Sequence, residues 1–208
     1  MSREPWTRGE RAVFDKLDSP FRIQEYLDSI RYSDDPIYRC PRRVMRDRRA
    51  HCFDGALFAA AALRRLGHRP LLVDLRAVRD DDHIIALFGQ RGRFGAVAKS
   101  NFVGLRFREP IHRTVRELVL TYFEDYYNVA GEKTLRSYSA PLSLRAFDRL
   151  DWLTRDEPMD AISARLDSIR HFPLLTPSME RALSPKDKRS YDAGMQGTIA
   201  AGLYGAKG

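Results

Sequence analysis

The stretch RRAHCFDGALFAAAALRRLG, Arg48 to Gly67, decides how the rest of the chain is read. Phe53, Ala56, Leu57, Ala60, Leu63 and Leu66 recur at helical spacing and form a wide apolar stripe. Ala59 to Ala62 is an unbroken run of alanine, the best helix former and small enough to let another element approach closely. Gly67 stands where a left-handed cap costs least, and Pro70 follows soon after. The pattern predicts a helix from Cys52 to Leu66 that opens on a cysteine. Most free cysteines only pack, but the unpaired N–H groups and dipole of a helix N-terminus favour a thiolate.

Working outward, PLLVDLRAV (from Pro70) reads as a buried strand, RDDD as a turn, and HIIALF (His83–Phe88) as a second strand. GQRGR is a hairpin loop, RFGAVAKS a third strand, and VGLRFRE (from Val103) a fourth extended piece. These predict an antiparallel meander laid against the cysteine helix. Upstream, Ile23, Tyr26, Leu27 and Ile30 have helical spacing behind Ser19-Pro20, and Pro41 suits the first turn of a short helix over 39–47. Downstream, IHRTVRELVLTYFEDYYN (111–128) predicts a long amphipathic helix, and LRAFDRLDWLT and PMDAISARLDSIRHF predict further helices. The expected fold class is α+β, with one domain over 1–183 and a core over about 21–128. The segment 184–208 is rich in Gly, Ala and Lys, and is expected to be a flexible tail or one ordered only by docking.

The 208 residues are 43% hydrophobic and 31% charged, enough apolar mass for a packed core and too much for a disordered chain. No apolar run reaches the ~20 residues that span a bilayer, and the first residues lack the apolar core of a leader, so a cytoplasmic location and no membrane partner are expected. Two cysteines, Cys40 and Cys52, cannot build a disulfide framework. With no C-x-x-C and no H-x-x-x-H pair, no metal site or cofactor is expected. The net charge of +8 is concentrated in RCPRRVMRDRR, Arg39 to Arg49. Such a run serves as a solvated face, as a nucleic-acid footprint, or as a positive field that lowers the pKa of a nearby thiol.

His83 opens a strand only one strand beyond the cysteine helix, which is where an imidazole can reach a thiol for nucleophilic chemistry. The order helix-start cysteine, Leu-Gly-x-x-Pro, strand, then Asp-x-His and an apolar strand resembles the transglutaminase-like superfamily, which shares the papain-like core. The matching text is HCFDGALFAAAALRRLGHRPLLVDL followed by DDHIIALFGQRGRFGAV, within Phe21 to Asn101. The resemblance is to uncharacterised bacterial members of that superfamily. It implies a central cysteine-bearing helix on a small antiparallel sheet, with further helices C-terminal to it. It also implies that Cys52 is the nucleophile and His83 the general base. The superfamily's aspartate is missing: Ala98 stands at its place, and no acid occurs between His83 and Glu109. Asn101 is the expected substitute, its side-chain oxygen accepting the imidazole N–H. Lys99, Ser100 and Arg106 are candidate substrate contacts, although Lys99 and Arg106 equally suit the solvent side of an edge strand.

The function expected from these residues is acyl transfer from an amide of a peptide or protein substrate, to water or to an amine. Main-chain N–H groups at the helix start would hold the oxyanion. Two alternatives stand beside it: a non-catalytic peptide- or protein-binding module on the same fold, and a basic nucleic-acid-associated protein that uses Arg39–Arg49. His51, His68, His112 and His171 are expected to be surface or capping residues, Cys40 an inert thiol, and Asp54 a first-turn carboxylate placed for the dipole.

Overall fold

A computed structural model describes residues 5–204. The described helices are α1 (Arg8–Phe14), α2 (Pro20–Ser29), α3 (Pro41–Asp47), α4 (Cys52–Arg65), α5 (Val115–Leu120), α6 (Met159–Ser168), α7 (Pro177–Arg181) and α8 (Lys188–Met195). The strands are β1 (Arg31–Tyr32), β2 (Arg49–Ala50), β3 (Leu71–Ala77), β4 (His83–Gln90), β5 (Arg93–Val97), β6 (Arg108–His112), β7 (Leu135–Ser139), β8 (Leu142–Ser143) and β9 (His171–Pro173). The chain is α+β. Its main sheet runs β6-β5-β4-β3-β7-β9 with β8 also on β3, and its pairings are antiparallel. β1 and β2 form a separate short parallel pair.

The strand period of two divides the core. Leu72, Ile84, Ala86, Phe88 and Val97 face α4. Val73, Leu75, Ile85, Leu87, Ala96 and Ala98 face the opposite way, toward Leu118, Val119, Tyr122 and Tyr126. Both faces are covered, which is why β4 reads as a continuous apolar run. Its hairpin to β5 turns on Arg91 and Gly92, both at positive φ, the two-residue geometry that matches strand twist.

α4 is more deeply set than its stripe implies. Every residue from Phe53 to Leu63 is buried, because α2 and α3 close over the side away from the sheet. The alanine run permits that approach. At its C-terminus, Gly67 N–H donates to Arg64 O and His68 N–H to Leu63 O, with Gly67 at φ 88°, a Schellman cap.

Two expectations change downstream. The long helix over 111–128 is instead strand β6 up to His112, the six-residue α5 capped by Thr114, and a 3₁₀ turn at Phe123–Asp125. Pairing of β6 with β5 removes its first turn. The phenols of Tyr122 and Tyr126 are drawn to the carbonyls of Arg106, Leu75 and Asp81, which bends the end. The segment LRAFDRLDWLT forms a 3₁₀ run over Leu144–Leu150 in place of an α-helix. The C-terminal segment, expected to be flexible or ordered only by docking, is docked over its described part. Lys186 N–H donates to Gly131 O, Tyr191 is held between Tyr127 and Val129, and Val103 N–H donates to Gly194 O. Residues 205–208 lie outside the described part.

Candidate active site

α4 begins where β4 begins, so Cys52 and His83 arrive at the same end of the sheet. Together with Ser100, Asn101, Leu105 and Tyr126 they line a cavity of about 40 Å³. Cys52 also lines a larger cleft of about 610 Å³, walled by the loop after β1, by Asp81 and Asp82, by α6, and by Gly202–Tyr204.

His51 caps α4 as expected. Its Nδ1 accepts from the N–H groups of Phe53 (3.1 Å) and Asp54 (3.4 Å). Gly55 N–H goes to His51 O. The N–H groups of Phe53, Asp54 and Gly55 are therefore engaged within the helix start and are not open to an oxyanion. The lone pair of His51 Nδ1 is committed to the cap, so His51 is no base for the thiol.

His83 is 4% exposed. Its Nε2 lies 2.8 Å from Leu105 O, and a carbonyl only accepts, so Nε2 carries the proton and Nδ1 the lone pair. The ring sits edge-on to Tyr122 and Tyr126, with centroids 6.5 and 6.4 Å away. Burial, slightly offset by the Leu105 bond, lowers the imidazole pKa to about 4. Burial also pushes the Cys52 thiol up to about 12, against main-chain hydrogen bonds to Ile84 and Phe53 that pull it down; the carboxylates of Asp54 and Asp81 add to the rise. The expected lowering of the thiol pKa by the arginines does not occur, because those arginines already have partners. Arg39 meets Asp35, Asp47 and Asp54; Arg42 meets Glu10; Arg43 meets Asp47 and Asp156; Arg46 meets Asp47; Arg49 meets Asp35.

The third member is corrected. Asn101 does not orient His83. Its Oδ1 accepts from Ile199 N–H at 2.8 Å and its Nδ2 donates to Ile199 O at 2.9 Å. The orienting acceptor is the Leu105 carbonyl, for which a sequence holds no signal, since every residue carries one. The main chain of Ala98 is clamped by Gln24, which both donates to its O and accepts from its N–H.

Lys99 is neither a solvent-side residue nor a free substrate contact. It is 5% exposed. Its Nζ donates to Leu27 O (2.7 Å) and Ile30 O (2.6 Å), closing the end of α2. Burial lowers its pKa to about 8. Its stem lies against α4, where a Cβ on Gly55 would come within 2.3 Å of Lys99 Cβ; glycine at 55 lets the end of β5 approach the cysteine helix. Ser100 Oγ accepts from Phe102 N–H. Arg106 pairs with Asp28 at 3.1 Å, beside a 320 Å³ cavity that Lys99, Ser100 and Asn101 share.

Three other polar residues were undervalued by sequence. Asp54 is fully buried, accepts from Arg39 N–H at 2.8 Å, and has its pKa raised to about 7, chiefly by burial. His112 is buried with Nδ1 against Phe94 O. His171 Nε2 lies 2.9 Å from Asp74 Oδ2, tying β9 to β3 on the wall of the large cleft. The partners of these contacts are far apart in the chain, so no local pattern announces them. Cys40 is buried, its thiol pushed up to about 12 mainly by burial. No group of three or more metal-ligating side chains occurs among the described residues, and no helix there is long and apolar enough to cross a membrane. No family model matches the chain and no curated protein matches it.

Proposed function

We propose that the protein is a cysteine-dependent acyl-transfer enzyme on a papain- or transglutaminase-like core, acting on an amide of a peptide or protein. The observation that carries the reading is the convergence of Cys52 and His83 on one small cavity, with Leu105 O fixing the imidazole so that Nδ1 keeps its lone pair. In this mechanism Cys52 Sγ attacks the carbonyl carbon while His83 Nδ1 takes the thiol proton. The tetrahedral intermediate collapses, the leaving amine takes that proton, and water or a second amine then releases the acyl group from sulfur. Leu105 stands in for the superfamily's acid. The uncharged resting state of both groups means that proton transfer accompanies attack, without a preformed ion pair.

The test is acylation by 4-nitrophenyl acetate, with mass mapping to separate Cys52 from Cys40. Acetyl on Cys52 that turns over, and a His83→Ala variant acylated at least about 100-fold more slowly, is the expected outcome for general-base assistance. Equal rates in the two proteins would sink the proposal.

A second reading, a peptide-binding module without catalysis, draws support from the raised thiol pKa and from the missing acid at Ala98. It requires that Cys52→Ala leave peptide affinity unchanged. The nucleic-acid reading draws nothing from the paired arginines.

A further inference from the structure

The C-terminal segment passes through the site. Gln196, Gly197 and Ile199 wall the 320 Å³ cavity; Gly202 and Tyr204 wall the small cavity that holds Cys52 and His83; and Gly202 to Tyr204 wall the 610 Å³ cleft. Tyr32 lines all three. The three spaces thus adjoin one another around the C-terminal segment.

The contacts that hold this segment are those by which a site recognises a peptide. Asn101 uses both ends of its amide on one residue, accepting from Ile199 N–H and donating to Ile199 O. That pair reads main chain and ignores the side chain. The segment then turns, with Gly202 N–H on Ile199 O and Leu203 N–H on Ala200 O. The turn carries Gly202 between Tyr32 and Asn101. A Cβ there would stand 2.9 Å from the Tyr32 ring, so that something must shift, and 3.2 Å from Asn101 Nδ2, a tight contact.

We propose that segment 196–204 is an intramolecular occupant of a peptide-binding groove, and that the groove's ligand is a peptide with glycine three residues after the residue clamped by Asn101. Asn101 is a positioning residue for that peptide, and Tyr32 sets the requirement for glycine. The proposal deepens the acyl-transfer reading by naming its substrate class and rests on that reading only for the chemistry; occupancy of the groove stands without it.

The experiment uses full-length protein. Cys52 alkylation by iodoacetamide is followed by mass in the wild type, in Gly202→Val and in Asn101→Ala, with circular dichroism to verify folding. Two variants at separate contacts keep the test decisive where one fails to fold. Either folded variant is expected to label at least tenfold faster than wild type. In Gly202→Val, which keeps Asn101, a synthetic peptide of residues 197–204 is expected to restore protection in trans, and the same peptide carrying Gly202→Val is not. Unchanged labelling in both variants, or equal protection by both peptides, overturns the proposal. Faster labelling in the tail variants together with equal acylation of wild type and His83→Ala keeps the groove and removes the acyl-transfer reading.

Discussion

Arg39, 2% exposed, reaches Asp35, Asp47 and Asp54, and the neighbouring arginines repeat the arrangement at the surface. A few residues on, at the start of α4, the ionisable groups are treated in the opposite way: Cys52 and His83 have no charged partner that offsets burial, and both are held neutral. The difference lies in compensation. A buried charge persists where an opposite charge and hydrogen bonds replace water, and otherwise the group gives up its charge. Proximity to arginine in sequence is no measure of the field at a sulfur, because Arg39, Arg42, Arg43, Arg46 and Arg49 already spend their field on carboxylates, and Arg48 lies over the Tyr26 ring.

The largest effect expected from this contrast is at the thiol. With its pKa near 12, Cys52 of the wild type alkylates at pH 7.5 roughly three orders of magnitude more slowly than an exposed thiol with a pKa of about 8.5. The rate climbs through pH 9 without a plateau, and a plateau below pH 8 would mean that a charge partner is present after all.

Arg39→Ala strips the partner from buried Asp54 and is expected to cost about 3–5 kcal/mol in urea denaturation. A loss under about 1 kcal/mol would show Asp54 taking up a proton, as its raised pKa of about 7 allows, and would move this region into the same class as the cysteine corner.

Lys99→Met leaves the carbonyls of Leu27 and Ile30 without their donor and is expected to cost about 2 kcal/mol. Lys99 also makes stability pH-dependent. Its folded pKa of about 8 lies below the ordinary 10.5, so between those values the unfolded chain binds more protons and wild-type stability from this group rises with pH. The raised thiol pKa values of Cys40 and Cys52 act in the opposite direction, so the measure is the difference between the proteins: from pH 8 to pH 10 the urea midpoint of wild type should rise more, or fall less, than that of Lys99→Met, and an identical change in both would assign the pH dependence elsewhere. Arg46→Ala, a side chain 69% exposed, is expected to change stability by less than about 1 kcal/mol, and a larger loss would mean that the surface ion pairs act as a network.

The local elements were legible where the chain itself carries their cause. The helix from Cys52, its glycine cap, the three strands after it and the hairpin loop between the second and third all follow from spacing and backbone preference within a few residues. Cys52 and His83 could be paired on paper because one connection of known length separates them. Lys99 could not be placed, since its two acceptors lie some seventy residues upstream. Asn101 has the chemistry to orient an imidazole, but its amide is held by Ile199, 98 residues away.

By itself, then, the sequence determined the α+β class, the buried helix and the meander, because propensity, periodicity and capping act over short distances. Tertiary structure alone decided which face of β4 each side chain takes, which carboxylate each arginine meets, which carbonyl orients His83, and where the C-terminal segment lies. Those outcomes depend on burial and on partners distant in the chain, and burial sets whether a thiol, an imidazole or a carboxyl keeps its charge.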